Sequence, residues 1–315
     1  MENGTSPVLL QLEGLMVPPS SRSLVFLSLL LSHVFIVGSN LGVVALVWSE
    51  RALHQPMYLL MCNLAVNDVM NNLVVVPRIL WDMLLPVHRR LIPLGACVTQ
   101  AFAIHMYGWN IHTIFIFMAV DRYIAICRPL RYSLIMSART LVKITVFSLG
   151  LGFLLVGGLL GLSLRLTRCR YFIPSIHCTN ASLFNLSCQN TFINNVYGIT
   201  FTVVLLTGSI GSVVLTYGFI TVACLTTRSR SLNRKALQTC STHLLLYLIV
   251  LFSGLSVIAL YRYPEYMQYG NLSAILYNII PPALNPFIYA FQCREIHQSL
   301  DTTHMLAPGY HLLSI

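Results

Sequence analysis

An acid and a base stand side by side at Asp121-Arg122, near the end of a long apolar run, residues 95–127. An arginine at membrane depth is costly unless it is paired, and Asp121 is its nearest counter-charge. The chemistry on offer is a breakable ion pair; for a lone arginine at a helix end the alternative is a snorkelling anchor. Asp68 is the clearly mid-membrane carboxylate, where an ionised group needs polar partners or water. His105 and His112 are seven residues apart, about two helical turns on similar faces. A metal or pH-sensing pair is one reading, but two turns is a long reach for shared coordination, and buried histidines ordinarily hydrogen-bond. Ser241 and His243 lack an acid partner and metal-ligand spacing, so no enzyme activity is expected. Cys97, Cys169, Cys178 and Cys188 fall where oxidation is allowed, and four cysteines permit three pairings. Cys62, Cys127, Cys224, Cys240 and Cys293 read as buried or free thiols.

A membrane bundle must position these groups. The 315 residues are 56% hydrophobic and 9% charged, against roughly one-quarter charged in soluble domains. Seven runs reach the roughly 20 apolar residues needed to cross a bilayer, at 24–48, 57–84, 95–127, 141–164, 193–225, 236–261 and 271–291. All are expected to be helices, since isolated strands would leave backbone groups unpaired in lipid. Segment 1–23 contains Glu2, Glu13, Pro18 and Pro19 and has no cleavable-signal pattern, so the first span is expected to act as the signal. The tails, 1–23 and 292–315, and the loops are too short for a sizeable soluble domain.

The formal charge of +10 is spread in short clusters between spans, not on one continuous face, so no nucleic-acid partner is expected. More Lys and Arg fall on the side of Arg128, Arg131, Lys143 and Lys235, pointing to a cytoplasmic C-terminus. The sequons at Asn3, Asn180, Asn185 and Asn271 all lie on the opposite side. Without an internal repeat or a charged pathway, a transporter or channel finds no support. Gly157 and Gly161 form a small-xxx-small pair that reads as internal helix packing more readily than as a dimer interface. Oligomeric state is not indicated.

The third span carries Met118-Ala119-Val120-Asp121-Arg122-Tyr123-Ile124-Ala125-Ile126-Cys127. This stretch resembles the Met-Ala-x-Asp-Arg-Tyr-x-Ala-Ile-Cys signature of odorant receptors, a family of rhodopsin-like G-protein-coupled receptors. Further matches are Pro56-Met57-Tyr58-Leu59, Asn63-Leu64-Ala65 and Asp68 in span two, and Lys235-Ala236-Leu237-Gln238-Thr239-Cys240-Ser241-Thr242-His243-Leu244 entering span six. Pro282-Ala283-Leu284-Asn285-Pro286-Phe287-Ile288-Tyr289 in span seven and a long second extracellular loop with three cysteines complete the set. The loop end Leu186-Ser187-Cys188 and the entry to span six look most like those of fish odorant receptors.

The resemblance implies an all-α seven-transmembrane bundle, N-terminus outside, with a short cytoplasmic helix after span seven. It implies a plasma-membrane receptor, in cilia of olfactory sensory neurons, that binds a small odorant and activates a stimulatory heterotrimeric G protein, raising cyclic AMP. A rhodopsin-like receptor for an endogenous metabolite is the alternative. Arg122 is then released when span six swings outward, and Tyr217 and Tyr289 pack around it. Asp121, Tyr123, Asn285 and Pro286 belong to the same switch, Pro286 because a proline removes a backbone donor and makes a hinge. Asn40 and Asn285 are expected beside Asp68 as a water or sodium cluster. No cofactor is implied; sodium is the one candidate ion, and Ile111, where many odorant receptors have a polar or acidic residue, counts against it.

The family pairs Cys97 with Cys178, leaving Cys169 for Cys188. Its pocket lies between spans three, five, six and seven. That assigns Ile104, His105, Gly108, Trp109 and His112 to one wall and Phe201, Thr202 and Leu205 to the next. Ser256, Val257 and Leu260 follow on span six, Ile275 and Asn278 on span seven. These side chains suit a small, mainly neutral molecule, and Ile104 replaces the aspartate of amine receptors. Ser253 stands where most odorant receptors have tyrosine, leaving the switch beneath the pocket unassigned.

Overall fold

The computed structural model describes residues 8–226, 230–261 and 263–305, with side chains except at 52, 230–239, 264 and 289–305. Asn3 and the side chain of Tyr289 lie outside the described residues. Seven long helices follow in order: α1 Arg22–Ser49, α2 Pro56–Leu84, α3 Leu94–Cys127, α4 Ala138–Leu164, α5 Phe192–Thr226, α6 Arg230–Leu260 and α7 Met267–Met305. Their starts have local causes. Gln55 is extended and Pro56 opens α2, a position where a missing N–H costs nothing. The Ser137 hydroxyl accepts the Thr140 N–H and caps α4.

Five whole helices, α1 to α5, and the Cys240–Leu260 part of α6 are long and apolar enough to span a membrane. Among the described residues, α7 is not one of these; it carries Asn271, Asn278, Asn285 and the prolines Pro281, Pro282 and Pro286. It is a member of the bundle nonetheless, packing on α6, α1 and α2, and its polar face turns inward. Helical residues continue without a break to Met305, so the cytoplasmic helix expected after span seven is an extension of α7. At the centre, α3 touches α2, α4, α5 and α6. Outward-facing side chains such as Phe147, Phe153, Leu154, Val204 and Leu225 are exposed. So large an apolar surface is the one a membrane covers.

Glycines correct one expectation. A Cβ on Gly157 or Gly161 would meet nothing within 4 Å, so this pair makes no internal helix contact. Close packing on α4 occurs instead at Gly152, where a Cβ would come within 2.5 Å of the Trp109 indole.

The outer end is more ordered than a tail and loops. Strand β1, Leu9–Leu12, pairs antiparallel with β2, Leu91–Pro93, and parallel with β3, Phe172–Ile173. Leu10 and Leu12 are fully buried, which draws the N-terminal segment into the core above α3. Arg90 is buried beneath it and donates to the Glu13 and Leu85 carbonyls. Burial holds the Arg90 guanidinium below its ordinary pKa. Gly14 sits at φ +70° directly against Arg90, a backbone conformation glycine adopts at no steric cost. Arg78 pairs with Asp82 one turn along α2 at 2.9 Å and donates to the Leu91 carbonyl of β2.

Candidate functional site

At the cytoplasmic end of α3 the carboxylate of Asp121 is fully buried, and its Oδ2 accepts both Nε and Nη2 of Arg122, at 3.0 and 2.6 Å. Its other oxygen accepts the Tyr132 hydroxyl at 2.8 Å. Tyr132 opens a one-turn helix, Tyr132–Ile135, in the loop between α3 and α4. Burial, reinforced by Asp121, raises the Tyr132 phenol pKa well above its usual value, so it remains a donor. Tyr217 packs into one cluster with Tyr123, Ile126 and Cys127 of α3, Ile220 and Cys224 of α5, and Cys240 of α6. The three helices are therefore drawn together below Arg122 while Asp121 holds the guanidinium.

Midway through the membrane, Asp68 is fully buried and accepts the Asn285 amide of α7 and, at 3.3 Å, the Tyr107 hydroxyl of α3. Tyr107 lies one turn from Ile111, so α3 supplies a polar partner despite the isoleucine. Asn40 is close to this network without bonding Asp68: its amide donates to the Pro282 carbonyl at 3.0 Å and to the Ile36 carbonyl. The reason is Pro286. Having no N–H, it leaves the carbonyl four residues back without its helical partner, and Asn40 fills that vacancy.

The residues expected around a ligand divide into two sets. Ile104, Val257 and Ile275, from α3, α6 and α7, converge in one cluster under Ile176 of the second extracellular loop. His105, Gly108, Phe201, Thr202 and Leu205 are half-buried on the facing parts of α3 and α5. A Cβ on Gly108 would meet nothing within 4 Å. Leu260 lies against Gly270 of α7. The second set is committed elsewhere. Trp109 donates to the Ser148 carbonyl of α4 at 2.9 Å and stacks on Phe201. Asn278 accepts the Asn71 amide of α2. Ser256 is exposed, with its hydroxyl on the Phe252 carbonyl.

His112 is the most informative departure. Its Nδ1 lies 3.1 Å from Ser209 Oγ, which donates to the Tyr247 hydroxyl at 2.9 Å. Tyr247 of α6 is buried against the rings of His112 and Phe115. This triad joins α3, α5 and α6 between the outer interior and Arg122. Ser253 turns back on the Ile249 and Val250 carbonyls of its own helix, so Tyr247 makes the aromatic contact between α6 and α3. His105 is separate, its Nε2 accepting the Asn180 backbone N–H at 3.0 Å. The two histidines are not a pair, and among the described residues no group of three or more His, Cys, Asp or Glu could hold a metal.

The lid over this interior is the second loop. Disulfides join Cys97 to Cys178 and Cys169 to Cys188, and Gln100 of α3 accepts the Cys178 N–H at 2.9 Å. His177 is buried with Nδ1 unpartnered and its ring on Tyr261. Burial, with a smaller contribution from His105, lowers its pKa to about 4. Two of the sequons are corrected here. Asn180 is buried and accepts the Ser163 hydroxyl, and Asn271 is buried and accepts the Ile176 N–H and the Tyr261 hydroxyl. Neither amide can carry a glycan in this fold; Asn185 is exposed.

A helical bundle spanning the membrane, with an arginine held at the inner end of its central helix and a stapled lid outside, defines the class of rhodopsin-like receptors. The crystal structure of squid rhodopsin superposes with a TM-score of 0.68 over 96% of this chain and 93% of that one, at 16% identity. Within that class, the olfactory receptor family model matches residues 29–307. Olfactory receptor 10H2 of Homo sapiens is 32% identical over 306 residues, 96% of each chain. Olfactory receptor 10H28 of Mus musculus is 33% identical over 278 residues, 87% of each. The chain belongs to the olfactory receptor family. It is a multi-pass membrane receptor of the odorant type, and not an enzyme.

Proposed function

We propose that this receptor binds a small, mainly neutral odorant beneath the second loop and activates a stimulatory, olfactory-type G protein, raising cyclic AMP in cilia of olfactory sensory neurons. The ligand would lie among Ile104, His105, Gly108, Phe201, Thr202, Leu205 and Val257, half-buried groups that offer apolar walls and few hydrogen bonds. The supporting observation is the His112–Ser209–Tyr247 triad, whose Tyr247 shares a core with Tyr123 and Tyr217 of the closed cluster below Arg122. A ligand shifts the receptor only by binding the released arrangement more tightly than the held one. Agonist contacts that move α6 relative to α3 would strain the Tyr247 contacts first. Around Asp68, the buried acceptors Asn40 Oδ1 and Asn285 Oδ1 have no protein partner. They suit water or sodium, and with Ile111 contributing no oxygen, water is the simpler occupant.

The test is a cyclic-AMP assay of surface-expressed receptor against a panel of small organic molecules, with Arg122→Ala as control. The variant is expected to reach the surface and lose ligand-driven signalling. Undiminished signalling in Arg122→Ala would reject the role given to this residue.

A further inference from the structure

A groove of about 790 Å³ opens on the outer face of the second extracellular loop, bounded by Arg170, Tyr171, Phe172 and Gln189 and by Tyr261 and Met267 at the outer ends of α6 and α7. None of the residues proposed for the odorant lines it. Its size falls within the roughly 300–1,000 Å³ of small-molecule sites. The walls combine aromatic and aliphatic side chains with one cation, Arg170, and no acid. The whole loop, residues 165–191, carries Arg165, Arg168 and Arg170 without any Asp or Glu. Such a surface attracts anions from a distance, and a guanidinium receives a carboxylate through two parallel hydrogen bonds.

The backbone behind Arg170 is already fixed. Cys169 and Arg170 both donate their N–H to the Leu186 carbonyl, and the Cys169–Cys188 bond closes the same loop. Little ordering is therefore left for a ligand to induce. Tyr261 is shared between the groove and the lid: its hydroxyl donates to Asn271 at 2.9 Å, and its ring lies on His177.

We propose that this groove is a second, outer binding site for small organic carboxylates, with Arg170 pairing with the carboxylate and Phe172, Tyr261 and Met267 covering the apolar body. An occupant touches both Tyr261 and the loop that forms the lid, so the site can bias how the lid sits over the deeper interior. This reading goes beyond odorant reception in the bundle and does not depend on it.

The test uses the full-length receptor in zwitterionic nanodiscs and fluorine NMR titration of 4-(trifluoromethyl)benzoate, with 4-(trifluoromethyl)benzyl alcohol as the uncharged comparison. The benzoate is expected to bind saturably, and Arg170→Gln to weaken it about tenfold or more. Ala181→Trp, which fills the groove without changing charge, should weaken it as well, whereas Gly108→Leu, which fills the deeper interior, should not. The proposal is overturned by non-saturable binding, by full affinity in Arg170→Gln, by equal affinity for the alcohol, or by loss of binding in Gly108→Leu alone. Because the readout is binding and not cyclic AMP, any of these outcomes leaves the odorant-receptor reading standing.

Discussion

The two ends of α3 are held in opposite ways. Outside, its first turns are fixed by a disulfide, by Gln100 on the Cys178 N–H, and by a three-stranded sheet resting on Arg90. Inside, the last turns depend on one carboxylate, Asp121, shared by Arg122 and Tyr132, and on a small cluster of thiols and rings. Constraints that are redundant keep an element in place; a constraint that rests on a single group can be exchanged for another at modest cost. The difference teaches where motion is affordable. A ligand acting under the lid works against a fixed outer end, and its effect is delivered where one ion pair can be broken.

The largest expected effect tests the fixed end. Cys97→Ser opens a loop of 81 residues, and loss of a native disulfide typically costs about 2–5 kcal/mol. Most receptor should be retained inside the cell, measured as surface over total epitope signal. Cys169→Ser opens only 19 residues and should cost less, by roughly 1 kcal/mol on loop-closure grounds. Equal loss in both would mean that the outer end is not ranked by loop length.

Next comes the single constraint inside. Asp121→Asn keeps the shape of the acceptor and removes its charge. Hydrogen bonds to charged groups contribute about 1.5–3 kcal/mol, so ligand-free cyclic AMP should rise roughly tenfold with surface expression preserved. A silent Asp121→Asn would show that the cytoplasmic end is held by something other than this carboxylate.

Much of this contrast could be read from residue types. Apolar run length marked out the bundle, and the Asp121-Arg122 pair and the oxidisable cysteines announced the released and stapled ends. What could not be read is where hydroxyls point. Tyr107, Tyr132 and Tyr247 look like core aromatics in an apolar chain, and packing alone turns the first two O–H groups onto Asp68 and Asp121 and sets the Tyr247 oxygen to accept from Ser209. A sequon reports a tripeptide and not its burial, which is why Asn180 and Asn271 misled. Strand β1 has four residues, too few for a periodic signal, and it forms only because two distant loop segments offer it backbone partners. Gly152 differs from Gly157 by the neighbour it faces, Trp109, which no spacing on α4 reveals.

The lid should respond to acid. His177 has a pKa of about 4 in the fold against an ordinary 6.5, so the unfolded chain binds more protons between those values. Stability from this group is therefore complete above about pH 6.5 and is lost as pH falls toward about 4. At pH 5.5 the loss is about 1 kcal/mol. A protonated ring would have to bury its Nδ1 donor without an acceptor, since that atom has no partner. The thermal midpoint of purified receptor should drop between pH 7 and pH 5.5, and the drop should be smaller in His177→Phe. An equal drop in both proteins would place the acid sensitivity elsewhere.

The smallest effect is the most discriminating at the cytoplasmic end. Tyr132→Phe removes one donor from Asp121 and leaves both Arg122 contacts, so about 1 kcal/mol and up to about fivefold in basal cyclic AMP are expected. If Tyr132 acts through the Asp121 carboxylate, adding Tyr132→Phe to Asp121→Asn should raise basal signalling little further, because residues in one network do not contribute independently. Additive increases would mean that Tyr132 restrains the loop between α3 and α4 in its own right. The inner end would then be held at two places, and the contrast with the stapled outer end would be one of degree.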